Sequence, residues 1–160
     1  MAARRTGKDT AGVIAPPPLL FLGAVVLGLA LDRLVPLPAP GLPVALRWAL
    51  GLSLAALGLA LGIAAIRAFR SAGTPPEPWE ETSAFVAAGP YRLTRNPMYL
   101  GMALLTLALA AAFDSLGILL LFVPLVALVQ WGVIAREERY MARRFGQPYL
   151  DYKARVRRWI

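Results

Sequence analysis

Two adjacent carboxylates, Glu137 and Glu138, stand where a long apolar run gives way to charge, and neither has a lysine or arginine three or four residues away on its own helix. Unpaired carboxylates at the lip of a bilayer are costly unless something binds them, so at least one is a candidate ligand-binding group. The other concentration of reactive side chains is the stretch Gly89-Pro90-Tyr91-Arg92-Leu93-Thr94-Arg95-Asn96-Pro97-Met98-Tyr99-Leu100-Gly101. Asn96 followed by Pro97 fits an N-cap and the first position of a helix, whose free N–H groups and positive end can receive an anion. Arg92 and Arg95 add charge there or serve only as membrane anchors. Tyr91 and Tyr99 equally suit an interfacial aromatic belt.

Absences narrow the chemistry. The 160 residues include no Cys and no His, which excludes disulfides, a thiolate nucleophile, an imidazole base and a Cys/His zinc site. Catalysis is left to carboxylates, Tyr, Ser/Thr, Arg/Lys or a bound cofactor, and no metal site is expected. The net charge of +8 would suggest nucleic acid in a soluble protein. With 58% hydrophobic residues and a mean hydropathy of +0.60, the charge instead matches cytoplasmic loops facing anionic headgroups, and no nucleic-acid partner is expected.

The elements that must position these groups are membrane spans. A spanning helix needs roughly 20 apolar residues, and four segments approach that length: 18–35, 48–66, 97–113 and 115–135. Prolines 16 to 18 suit the start of the first, and Asp114-Ser115 is the tip of a tight hairpin between the last two. A cleaved signal peptide is not expected, because no small-residue cleavage site is followed by a polar mature chain. Gly58 and Gly62 form a small-xxx-small pair suited to close helix packing. Lys and Arg divide fifteen to two between the two sides, counting Arg4, Arg5 and Lys8 in the N-terminal tail. That asymmetry puts both termini and the loop 67–96 in the cytoplasm.

That loop is long for a connection without regular structure, and such loops are usually functional or disordered. Its apolar run Ser83–Ala88 predicts that it folds back on the membrane face. The fourth span runs straight into a charged helix that stops at Gly146, with Pro148 just beyond. In the tail, Phe145, Tyr149, Tyr152, Val156 and Trp159 recur at helical spacing among charged residues, predicting an amphipathic interfacial helix that anchors to anionic headgroups and would also close over the loop.

On Gly-Pro-Tyr-Arg, Arg-Asn-Pro-Met-Tyr-Leu-Gly, the Glu-Glu pair and Phe145-Gly146 followed by Tyr149 and Tyr152, the chain resembles the isoprenylcysteine carboxyl methyltransferase and phospholipid methyltransferase superfamily. The resemblance covers roughly residues 73–160. It implies an all-α polytopic membrane enzyme, a single domain over 1–160, with about four spans, a cytoplasmic cofactor loop over 67–96 and C-terminal helices over 136–160. It also implies S-adenosylmethionine as methyl donor, S-adenosylhomocysteine as product, and a cofactor pocket without a Rossmann domain. Carried over by motif, the cofactor contacts are Ser83, Ala84, Phe85, Val86, Tyr91, Asn96, Pro97, Met98, Tyr99 and Glu137, with Glu138 beside them. Two positions depart from the family pattern: Asn96 stands where His is usual, and Val133 where the prenylcysteine enzymes place a substrate-binding Arg.

Methyl transfer from a sulfonium is an in-line displacement by an activated donor, so alignment and exclusion of water are the main demands. Arg92, Arg95 and Arg136 are the candidates for orienting an anionic acceptor, which favours a carboxylate on a lipid-like or prenyl-like small molecule presented from the bilayer. The alternatives are N-methylation of a phospholipid amine and a non-enzymatic transporter or structural subunit. The expected location is the cell (inner) membrane, with the active site cytoplasmic.

Overall fold

The computed structural model describes residues 10–160; Arg4, Arg5 and Lys8 lie outside them. Among the described residues the chain is all-helical. Helix α1 (Pro17–Leu34) starts on prolines, which lack an N–H that the first turn could not have satisfied, and ends where Val35 turns extended ahead of Pro36. Helix α2 (Val44–Ser71) has 28 residues, against 19 in the uncharged run. At about 1.5 Å per residue it spans about 42 Å, more than a hydrocarbon core of ~30 Å, so its arginines reach beyond the core at both ends. Helix α3 (Pro97–Phe113) closes on Asp114, whose φ of 52° is left-handed. Ser115 then caps α4, its Oγ accepting from the Ile118 N–H at 3.0 Å. This is the hairpin tip read from the sequence.

Helix α4 (Leu116–Phe145) is continuous through the charged stretch. It contains an unforeseen π-helical segment, Gln130–Ile134, between α-helical parts. Helix α5 (Gln147–Arg155) follows Gly146, at φ 59°. The aromatic spacing predicts helix out to Trp159, but Val156 is already extended. Tertiary bonds prevail here: the carbonyls of Arg157 and Arg158 accept from the Arg95 N–H and the Thr94 hydroxyl.

The bundle is assembled from two close pairs, α2 on α3 and α1 on α4. Glycine makes both approaches possible. A Cβ on Gly101 would lie 2.8 Å from the Gly58 carbonyl oxygen, and one on Gly117 only 2.1 Å from that of Gly28. Gly58 therefore packs as expected, whereas a Cβ on its partner Gly62 would meet nothing.

Large apolar side chains cover the outside, among them Leu22, Val26, Leu52, Leu57 and Val123, each more than half exposed. A surface so apolar belongs in lipid. Three helices are long and apolar enough to cross a membrane and Pro97–Phe113 is a shorter apolar one, so the protein is a polytopic membrane protein.

The two ends of the bundle differ. At one, Asp32 accepts from the Ser115 hydroxyl and the Gly117 N–H, and Asp114 accepts from the N–H groups of Gly41 and Leu42. The other end gathers residues 10–16, the loop between α2 and α3, the charged half of α4, and α5 with its tail. The polar candidates read from the sequence lie there.

Candidate functional site

Glu137 enters the site from α4, just past the π-helical segment. A π turn bonds each N–H one residue further back than an α turn, as the Ala135 N–H does to the Gln130 carbonyl. Within the same segment the Gly132 carbonyl accepts from the Ile14 N–H at 3.3 Å. Glu137 accepts a hydrogen bond from the Tyr99 hydroxyl, which comes from the first turn of α3. No described Lys or Arg is paired with it.

Glu138, one residue on, has a different setting. Arg95, Lys153 and Arg158 surround its buried carboxylate at 3.0, 3.2 and 2.7 Å. The expectation that both carboxylates go unpaired within the protein is thus corrected for Glu138. Its cations come from the loop, from α5 and from the tail, not from its own helix.

The start of α3 brings a second correction. Asn96 occupies the N-cap position, but its side chain caps nothing. Its amide donates instead to the Arg158 carbonyl at 2.8 Å, and its own N–H donates to the Thr94 hydroxyl at 3.2 Å.

The loop folds back as its apolar run predicts. Val86 is buried, and Phe85 meets Phe145, Tyr149 and Tyr152 at ring separations of 5.9, 5.8 and 5.1 Å. The tail tyrosines therefore face the loop, at 4% and 5% exposure, and the amphipathic helix closes over it. Tyr152 donates to the Tyr91 carbonyl at 2.7 Å, and Tyr140 accepts from the Thr82 N–H at 3.2 Å. Burial pushes the Tyr152 phenol up to about 12, against the pull of the Arg95 charge. It also raises Tyr149, helped by the negative charge of Glu138. The Tyr91 phenol is held still further above the usual range, by burial first and then by the Glu137 charge. All three phenols keep their protons at neutral pH, and the buried Tyr91 hydroxyl has no hydrogen-bond partner among the described residues.

These groups line one cleft, concave and mostly apolar with a few polar groups, as small-molecule sites are. Phe85, Val86 and Tyr91 line it from the loop, Asn96, Met98 and Tyr99 from the entry to α3, and Glu137 and Glu138 from α4. Of the three arginines proposed to orient an acceptor, Arg95 alone lines the cleft. Arg92 is exposed on the 3-10 turn Gly89–Arg92. Arg136 points around the helix from Glu137 and donates to the Gly12 carbonyl at 2.9 Å. Ser83, Ala84 and Pro97 also stay out of the lining. Ser83 pins the loop, its hydroxyl donating to the Gly73 carbonyl and its N–H to the Thr74 hydroxyl. Pro97 is fully buried as the first residue of α3.

Sequence reasoning missed Thr82, Phe69, Tyr140 and Met141 in the lining. For Tyr140 and Met141 a signal existed, since they stand three and four residues after Glu137 on one helix face. Phe69 carries no such mark. Of the charged lining residues, Arg95 and Glu138 are bound to each other, which leaves Glu77 and Glu137 to set the sign of the lining.

A family model described as "Phospholipid methyltransferase" matches residues 46–148, from α2 to the start of α5. An uncharacterized protein of Haemophilus influenzae is 39% identical over 67 residues, covering 39% of this chain and 100% of the relative. No solved structure matches.

Proposed function

The chain belongs to the phospholipid methyltransferase family, and from that premise we propose that it transfers a methyl group from S-adenosylmethionine to the amine of a lipid-like acceptor in the bilayer. The residues of the cleft fit that donor. Among the described residues Glu137 has no cation of its own and the buried Tyr91 hydroxyl has no hydrogen-bond partner. The donor carries a sulfonium and an ammonium against one carboxylate, a net cation suited to an acidic lining. When bound it supplies an activated methyl group, whose bond to sulfur breaks as the bond to the acceptor forms.

The chain's own residues have three tasks. Glu137 holds positive charge, and Tyr99, bonded to it, fixes its orientation. Tyr91 offers a neutral hydroxyl, since its raised pKa keeps the proton on. The Phe85, Tyr149 and Tyr152 rings cover the cleft and exclude water, which otherwise competes as acceptor.

The choice of an amine over a carboxylate rests on the lining charge. A carboxylate acceptor needs no base, but it would meet Glu77 and Glu137, with the one lining arginine, Arg95, already engaged by Glu138. An ammonium must lose a proton before its nitrogen can attack, and lining carboxylates both attract the cation and take that proton. Arg92 and Arg136, on which a carboxylate acceptor would depend, lie outside the cleft.

Incubation of the purified protein with methyl-labelled S-adenosylmethionine and a membrane lipid extract, followed by mild base, tests the acceptor. Label is expected to stay in the lipid fraction, as on nitrogen. Release as volatile methanol would identify a methyl ester and restore the carboxylate acceptor.

We also propose that the cleft faces the cytoplasm, as the fifteen-to-two division of Lys and Arg supports. The chain lacks cysteine, so single exposed replacements report cleanly. In intact cells an impermeant thiol reagent should label Ala39→Cys and leave Ser83→Cys untouched. The reverse pattern would invert the topology.

A further inference from the structure

The last five residues leave the helical path and run back as a strap to the start of α3 and the Gln130–Glu138 part of α4. The Arg157 carbonyl accepts from the Arg95 N–H at 2.9 Å. The Arg158 carbonyl accepts from the Thr94 hydroxyl at 3.0 Å and the Asn96 amide at 2.8 Å. The Trp159 indole donates to the Gln130 side chain at 2.8 Å. The Arg158 guanidinium forks onto Glu138 at 2.8 and 2.7 Å, the paired geometry that fixes a side chain most firmly. That bond also raises the Arg158 pKa, so its charge is secure.

No residue of the strap lines the cleft, yet three of its anchors, Arg95, Asn96 and Glu138, do. Glu138 additionally grips α5 through Lys153, in the helix that carries Tyr149 and Tyr152. Holding a chain end extended costs backbone entropy, and here the compensating bonds converge on the cleft wall.

We propose that Arg158 is a positioning residue: its fork on Glu138 fastens the strap, and the strap holds Asn96 and the Tyr149–Tyr152 wall in the arrangement that binds the methyl donor. The inference rests on the cofactor reading above. Without the fork, the strap keeps only neutral hydrogen bonds and α5 loses one of the two links that tie it through Glu138.

The test uses the full-length protein in detergent as wild type, Arg158→Ala and Arg158→Lys. Hydrogen exchange of residues 147–156 is measured without ligand, S-adenosylhomocysteine affinity by calorimetry, and KM and kcat for the donor with a lipid extract. Arg158→Ala is expected to speed exchange in α5 about tenfold or more, to weaken S-adenosylhomocysteine binding by about tenfold, and to raise KM more than it lowers kcat. Arg158→Lys, which keeps the charge and loses the fork, should recover only part of each. Unchanged affinity and α5 exchange in folded Arg158→Ala would overturn the proposal, as would a loss of melting temperature with affinity intact. If the wild type itself binds no S-adenosylhomocysteine, the cofactor reading fails, and unchanged exchange in Arg158→Ala would by itself overturn the strap.

Discussion

Glu137→Gln is expected to weaken S-adenosylmethionine binding by about 10- to 100-fold while leaving the melting temperature of the ligand-free protein close to wild type. A hydrogen bond to a charged group is worth roughly 1.5–3 kcal/mol, and each ~1.4 kcal/mol is a factor of ten in affinity. The substitution removes the charge while keeping an oxygen to accept from the Tyr99 hydroxyl. The local structure therefore has no reason to change. Glu137 is paired with no described cation, so its removal strands none. Calorimetric titration with S-adenosylmethionine, alongside a melting curve without it, separates the two effects. Wild-type affinity in the variant would mean that the carboxylate faces no ligand.

Glu138→Gln should behave in the opposite way, losing stability first. Breaking a buried ion pair by removing one partner costs ~3–5 kcal/mol, because the other charge is left uncompensated. Here three cations converge on one carboxylate that is 6% exposed, while Lys153 and Arg158 are 40% and 28% exposed and keep part of their hydration. The expected loss is accordingly near the low end, about 3 kcal/mol. Equilibrium unfolding of the variant in a mild detergent measures it. A loss below about 1 kcal/mol would place the cluster among ordinary surface salt bridges. The prediction sets two adjacent glutamates apart, one acting on binding and the other on stability.

That contrast marks the limit of sequence reasoning at this site. The motif drew attention to the pair, and helix periodicity established that neither has a cation on its own helix. The partners of Glu138 are Arg95, Lys153 and Arg158, separated from it by loop, turn and strap. No local pattern could have joined them. Arg92 and Arg136 fail for the complementary reason: their positions beside Tyr91 and Glu137 in the chain say nothing of direction. On a helix a neighbour points about 100° away, and Arg136 accordingly reaches Gly12 and not the cleft.

By itself the sequence determined the helices and several of their limits. Long apolar runs make α1, α2 and α4 and a shorter one α3, prolines start α1 and α3, Asp114-Ser115 turns the hairpin, and Gly146 ends α4. These are decided within a few residues, by missing donors, positive φ and the cost of exposing backbone to lipid. Only the tertiary structure decided that Tyr149 and Tyr152 turn inward, that the helix stops at Arg155 and not after Trp159, and that Asn96 holds the tail and does not cap α3. In each case the local preference was satisfied by more than one arrangement. The choice fell to hydrogen bonds and ring contacts made between residues about 60 positions apart, whose energy exceeds the small difference between the local alternatives.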